Sequence, residues 1–289
     1  MKNLKEQLMH AVFLLSACVS ILCVAMICVF LFANGIPAIG KIGVLNFLTG
    51  EKWKPGNTLF GILPMILCSI YVTAGAVIIG VPIGILTAVF MSKFCPKPVY
   101  KVVKPAIDLL AGIPSVVYGF FGLVVLVPWV REIGRTLHQG GNGSSMITAS
   151  ILLGMMILPT IIGLTESALR AVPTQYYEGA VALGGTHERA IFTVVLPAAK
   201  SGVVAAIVLG IGRAIGETMA VIMVAGNQPR MPEGIFRGVR TLTANIVIEM
   251  GYASGLHREA LIATGVVLFV FILLLNFCVA LLKRGKNYE

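Results

Sequence analysis

Long stretches with few or no charged residues recur along the chain: Ala11 to Ala33, Ile62 to Met91, Ile107 to Val130, Met146 to Leu164, Val203 to Ala225 and Ala260 to Leu282. A helix rises 1.5 Å per residue, so crossing the hydrocarbon core of a bilayer takes about 20 apolar residues. Each stretch therefore predicts a membrane-spanning helix, and six of them predict an all-α integral membrane protein. The second stretch is too long for a straight perpendicular crossing and holds Pro64 and Pro82, so a tilt or a kink is expected there. Such prolines are tolerated in a bundle because neighbouring helices satisfy the freed backbone groups. Gly80-x-x-x-Gly84 and Gly212-x-x-x-Gly216 predict places where helices approach closely.

Composition agrees with the pattern. Of 289 residues 57% are hydrophobic and 12% charged, against about 25% charged in soluble domains, and the mean hydropathy is +0.94. The formal charge of +10 is spread between apolar runs and matches no nucleic-acid reader motif, so nucleic acid is excluded as a partner and membrane lipid is expected. Six crossings put both termini on one side. That side carries twelve Lys and Arg against nine on the other, with Lys93, Lys97, Lys101 and Lys104 forming the densest short loop. Cytoplasmic loops collect such residues, so cytoplasmic termini are expected. Leu15-Ser16-Ala17-Cys18 has the look of a lipoprotein cleavage site, but apolar residues continue to Ala33, which predicts an uncleaved first helix.

Cys18, Cys23, Cys28, Cys68 and Cys278 lie in apolar runs and Cys95 in a polar loop, with no C-x-x-C spacing. They are expected to be buried thiols, with neither a metal site nor a disulfide framework. His10, His138, His187 and His257 are scattered and read as surface or interfacial residues. The external loop Asn34 to Leu59, with Trp53 and Pro55, and the loop Gly226 to Glu259, with Arg230, Arg237 and Arg240, read either as docking surfaces or as segments settled among lipid headgroups.

Two constellations carry chemistry. Arg213 and Glu217 fall near the middle of the fifth apolar stretch, four residues apart and so on one face of a continuous helix. A charge at the bilayer centre costs about 2.5 to 3.5 kcal/mol, so both must face protein or water. Either they neutralise each other as an intrahelical pair, or they line a polar path in which the Arg fork holds a tetrahedral oxyanion. The second constellation is the loop from Arg170 to Lys200. Pro173 and Thr174 open a short helix with Tyr177, Ala180, Val181 and Gly184 on one face, Gly184-Gly185 breaks it, Thr186 caps the next helix, and Pro197 marks a further boundary.

Within that loop Glu178-Gly179-Ala180, Gly184, Val194 and Leu196-Pro197 keep the spacing of the coupling loop of ABC-importer permeases, with Gly179 and Val194 as small departures from the usual residues. The chain resembles that family. IPSVVYGFFGL (Ile113 to Leu123) and GRAIGETMAV (Gly212 to Val221) are further similar to the membrane subunits of the phosphate importer, the PstC-type subunit being the closer match.

The resemblance implies a type I importer permease: residues 1–59 form a first transmembrane helix and external loop, and 60–289 a permease core whose coupling loop, 170–200, is cytoplasmic. It assigns Glu178, Gly179, Ala180, Gly184, Leu196 and Pro197 to ATPase coupling and Arg213 and Glu217 to the anion path. Ser115 and Tyr118 are added as candidates, although hydroxyls at helix interfaces equally serve packing. The chain has no G-x-x-x-x-G-K-[ST], so it is expected to hold no cofactor itself, and ATP and Mg²⁺ to be bound by partner subunits. The implied partners are a second related permease subunit, two ATP-binding subunits and an external phosphate-binding protein. Another oxyanion such as sulfate, molybdate or phosphonate, or a stand-alone ion-coupled carrier, are the other functions the residues allow, and no enzyme activity is expected.

Overall fold

A computed structural model describes residues 2–284, with side chains over 5–277; the Cys278 side chain and the last residues of the basic tail lie outside them. In chain order the helices are α1 (Lys2–Ile42), α2 (Val44–Thr49), α3 (Leu63–Val89), α4 (Lys97–Gly112), α5 (Ser115–Phe121), α6 (Val127–Thr136), α7 (Met146–Arg170), α8 (Thr174–Ala182), α9 (His187–Ala190), α10 (Leu196–Ala198), α11 (Lys200–Gly216), α12 (Met219–Val224), α13 (Leu242–Met250) and α14 (Gly255–Arg284). A two-stranded antiparallel hairpin, β1 (Trp53–Lys54) and β2 (Leu59–Phe60), pairs Trp53 with Phe60. Single π-helical turns at Phe90–Phe94, Gly122–Leu126 and Ile191–Val195 extend or join the helices.

Five helical segments among the described residues are long and apolar enough to cross a bilayer: Lys5–Ile42, Leu63–Phe94, Ser115–Thr136, Met146–Arg170 and Gly255–Phe277. A sixth candidate is counted only when Lys200–Gly216 is taken together with His187–Ala198, from which it is bent by 70°. The fold is the expected helical membrane bundle, with several boundaries moved. Apolar character alone predicts the first helix to end near Ala33, but it runs on to Ile42, so the external loop begins later. The third stretch is divided. Residues 107–112 belong to α4, and the crossing itself starts at Ser115, because a residue before proline is pushed out of the helical region and Ile113 is extended at ψ 126° ahead of Pro114.

The centre of the bundle is α3 against α7. In lipid, apolar area does not hold helices together, since the tails are as apolar as the side chains; close packing does. Glycines on α3 supply it. A Cβ at Gly80 would lie 2.8 Å from the backbone oxygen of Gly154, and one at Gly84 2.7 Å from Cγ2 of Ile161. Gly80→Ala is therefore expected to push the two helices apart and lower stability by about 1–3 kcal/mol. Thermal unfolding in detergent measures it, with Gly163→Ala, which meets nothing within 4 Å, as the silent control. The second predicted small-residue pair does not pack against any of the described residues: Cβ atoms at Gly212 and Gly216 would meet nothing within 4 Å among them.

α1 stands at the edge. It touches α14, with Phe32 edge-on to Phe269 at 5.8 Å and Gly35 against Val266, and turns Leu8, Phe13 and Ile21 outward. Cys18 and Cys23, expected to be buried, are exposed on this helix, whereas Cys68 is buried in the α3 core. Burial fails as an expectation for α1 because a helix packed on one neighbour leaves most of its circumference to lipid.

Candidate functional site

α11 does not continue through Glu217. It ends at Gly216, and Glu217 is extended (φ −68°, ψ 131°) before α12 begins at Met219. The break is held by its own side chains. Glu217 Oε1 accepts from the amides of Thr218 (3.1 Å) and Ala220 (3.2 Å), capping α12; the Thr218 hydroxyl donates to the Gly216 carbonyl; the Thr243 hydroxyl donates to the Glu217 carbonyl at 3.2 Å. Arg213 and Glu217 thus do not share a continuous helix, and the intrahelical pair fails for a physical reason: the carboxylate is occupied as a cap. Among the described residues the Arg213 guanidinium has no hydrogen bond or ion pair, and its side chain is exposed on the surface of the single chain.

A second break faces this one. α4 runs back along α7, with Tyr100 at Glu166 and Ile107 packed beside Ile162, and stops at Ile113-Pro114, where α5 starts. α5 lies tightly on α12: a Cβ at Gly119 would sit 2.6 Å from Met223 Sδ and 3.0 Å from Ala220 Cα. Tyr118 is buried, its hydroxyl donating to the Leu110 carbonyl at 2.9 Å, and half-buried Ser115 opens α5. The break in the fifth stretch and the break at the head of α5 therefore meet near Arg213, Glu217, Ser115 and Tyr118. Interrupted helices are the usual backbone of membrane substrate sites. The apolar run hid the α4–α5 break, although Lys97, Lys101, Lys104 and Asp108, at helical spacing, mark α4 as an amphipathic helix.

The loop from Arg170 to Lys200 forms as its punctuation predicts. α8 ends in Gly184 at φ +85°, a left-handed position suited to glycine, with Gly184 and Gly185 amides donating to Val181 and Ala180 carbonyls. Thr186 caps α9 by accepting from the Arg189 amide at 3.3 Å. Glu188 is held below the ordinary carboxylate value by a backbone hydrogen bond and by the Thr186 hydroxyl. On the predicted face of α8, Tyr177 and Ala180 are half-buried, Tyr177 bonding His187 Nδ1 at 2.8 Å, while Val181 and Gly184 are exposed. Glu178 and Gly179 are also exposed, Leu196 is half-buried, and Pro197 lies in α10. α8 has no buried residue, and Leu183 beside it is 91% exposed.

In the loops Asn34 to Leu59 and Gly226 to Glu259, the structure does not leave Trp53 and Arg240 to settle among headgroups. Trp53 is buried, donating from Nε1 to Glu249 Oε2 at 2.8 Å. Arg240 pairs with Glu249 at 2.6 Å and also donates to Asn245 Oδ1 and the Asn227 carbonyl; His257 Nε2 lies 2.8 Å from Glu249 Oε2. Trp53, Arg240 and His257 are thus parts of a buried polar cluster, while Arg230 and Arg237 stay exposed. The sequence conceals this cluster because Trp53 lies 196 residues from the Glu249 it bonds. The signal it does give is Glu249, a lone carboxylate in the apolar segment of α13. Among the described residues no group of His, Cys, Asp and Glu is placed to hold a metal ion.

Comparison with known proteins places this architecture. Residues 80–288 match the model of the family described as binding-protein-dependent transport system inner membrane component. The probable ABC transporter permease protein YqgH of Bacillus subtilis is 38% identical over 276 residues, 91% of this chain and 88% of that protein. The phosphate transport system permease protein PstC of Mesorhizobium japonicum is 34% identical over 288 residues, 94% and 88%. Among solved structures, the inward-facing MetNI methionine ABC transporter covers 81% of this chain and 99% of its own with a TM-score of 0.61; at 20% identity the likeness is one of fold.

Proposed function

Since this chain belongs to the family of binding-protein-dependent transport system inner membrane components, we propose that it is the PstC-type permease subunit of an ATP-driven importer of inorganic phosphate. Phosphate permeases similar over most of the chain support the cargo. The observation that carries the mechanism is Arg213: an unpaired guanidinium in a membrane-spanning helix, beside two helix breaks. On a single chain it would face lipid at a cost of several kcal/mol, so it needs a second surface across from it. A second, related permease subunit supplies that surface in this reading, and the phosphate oxyanion takes the guanidinium fork between the two subunits. Glu217 caps α12 and fixes the shape of the break; Ser115 and Tyr118 line the facing one.

Energy enters from other polypeptides. Two ATP-binding subunits, holding ATP and Mg²⁺, receive α8 and the turn at Gly184, and an external phosphate-binding protein delivers the anion. Both termini and the coupling loop lie in the cytoplasm, and residues 1–59 form the first transmembrane helix and external loop beside the permease core formed by 60–289. Closure of the ATPases moves α8, and the bundle rocks to expose the anion site alternately to each side. Exposed Leu183 fits an apolar socket on the ATPase. Leu183→Asp is accordingly expected to release the ATP-binding subunits from the purified complex and cut uptake about tenfold or more, while the chain stays in the membrane; unchanged co-purification would remove Leu183 from that contact.

The cargo is tested by uptake of labelled phosphate at micromolar concentration in cells lacking this chain and other phosphate systems, before and after it is restored, with excess sulfate present. Uptake that returns on restoration and ignores sulfate is expected. Uptake that does not return refutes phosphate as cargo, and uptake suppressed by sulfate points to a different or broader oxyanion specificity.

A further inference from the structure

Glu166, near the cytoplasmic end of α7, is buried to 3% exposure in a chain that turns most of its charges outward. Its Oε1 accepts from Tyr100 Oη at 2.7 Å and from Arg170 Nε at 3.0 Å, and its Oε2 lies 3.5 Å from Lys104 Nζ. Arg170 also stacks over the Tyr100 ring at 4.9 Å, and Lys104 reaches Asp108 at 3.3 Å. One carboxylate therefore gathers two side chains of α4 and the last residue of α7. Leaving a buried charge unpaired is costly, so these elements hold together while the carboxylate is charged.

The position of this cluster gives it a further consequence. Arg170 is followed by three residues and then α8, the segment offered to the ATPase. Val172 in that connection packs with buried Leu169, Val89 and Ile191. α4 is gripped at its other end too, where the Leu110 carbonyl accepts from Tyr118. A displacement of α8 thus has a continuous route: the short connection from α8 to Arg170, the polar contacts of Arg170 through Glu166 to Tyr100 and Lys104, and α4 to the Ile113-Pro114 break. The route along α7 and α11 by packing alone bypasses that break.

We propose that Glu166 is a positioning residue that makes α4 follow the coupling helix, so that ATP binding outside the membrane opens or closes the chain at Ile113-Pro114. The proposal rests on the reading of this chain as a permease driven by ATPase subunits, and is independent of the cargo. The partners facing Glu166 are Tyr100 and Lys104 from α4 and Arg170 from α7; Asp108 is shared through Lys104.

The test follows the break itself. In the assembled importer, native cysteines are replaced by serine and Ser115→Cys is introduced as reporter. Its rate of labelling by a water-soluble maleimide is compared without nucleotide and with ATP trapped, alongside ATP hydrolysis. With Glu166 intact the rate is expected to change about tenfold on ATP binding, and with Glu166→Gln the change is expected to vanish while hydrolysis persists. A purely structural role would reduce assembly or hydrolysis and leave the ATP dependence of whatever complex forms. If the Glu166→Gln complex does not assemble, Tyr100→Phe and Lys104→Met carry the test. An ATP response kept at full size in the variants overturns the proposal. If the reporter responds as expected but the importer with Ser115 intact carries no phosphate, the cargo assignment fails and this inference stands; absence of any ATP response with Glu166 intact overturns it.

Discussion

Replacing Arg213 with alanine is expected to abolish phosphate uptake while the importer assembles at normal yield. Both halves come from the same geometry. The guanidinium has no partner among the described residues, so its removal strands no buried charge and breaks no pair within the chain. Insertion of the helix becomes easier by roughly the cost of a central charge, about 2.5 to 3.5 kcal/mol. What is lost is the anion's ligand: two charge-assisted hydrogen bonds at about 1.5–3 kcal/mol each correspond to a hundredfold or larger loss of uptake. Arg213→Lys keeps the charge and loses the planar fork, so intermediate transport is expected. Labelled-phosphate uptake together with size-exclusion profiles of the complex measures both. A complex that falls apart without Arg213 would make it an assembly residue, and near-normal uptake would remove it from the anion path.

Glu249→Ala is expected to cause the largest loss of stability of any single change around α13. Glu249 is 6% exposed and serves three partners on three segments: Arg240 in the loop before α13, Trp53 in the hairpin and His257 at the start of α14. Alanine leaves the Arg240 side chain, 12% exposed, without its counter-charge, a change that costs about 3–5 kcal/mol when a buried pair is broken. The Trp53 indole loses its acceptor as well. Glu249→Gln retains one acceptor oxygen and is expected to lose less. Because α13 also reaches the Glu217 carbonyl through Thr243, loosening this cluster should reach the break in the fifth span. Thermal unfolding of the solubilised complex is the measurement; an Ala variant within about 1 kcal/mol of the parent would show that the cluster does not hold the outer face.

The parts of the fold legible in the sequence were those written in local terms. Spans appear because lipid demands uninterrupted apolar runs, and the loop from Arg170 to Lys200 because Thr186 and Gly184-Gly185 each specify a backbone conformation at their own position. The interruptions were harder. Pro114 was visible, but it lay inside a run apolar enough to read as one helix. The break at Glu217 depends on a carboxylate turning back to cap the amides of Thr218 and Ala220, and spacing alone favours the continuous helix that would have paired it with Arg213. Glu166 and Glu249 each sit among apolar neighbours, and their partners come from elements that only the folded bundle brings together. Arg213 was recognisable by its cost in lipid; that it stands unpaired was not.

The account turns on Arg213 as a phosphate ligand in an ATP-driven permease. Its most direct test is accumulation of labelled phosphate in proteoliposomes carrying the complete importer with the binding protein outside and ATP enclosed, for the parent chain and for Arg213→Ala at equal assembly. Accumulation that requires ATP, persists in excess sulfate and disappears with Arg213 is predicted. Equal accumulation in both, or none in either while the reconstituted complex hydrolyses ATP in response to a different anion, would contradict it.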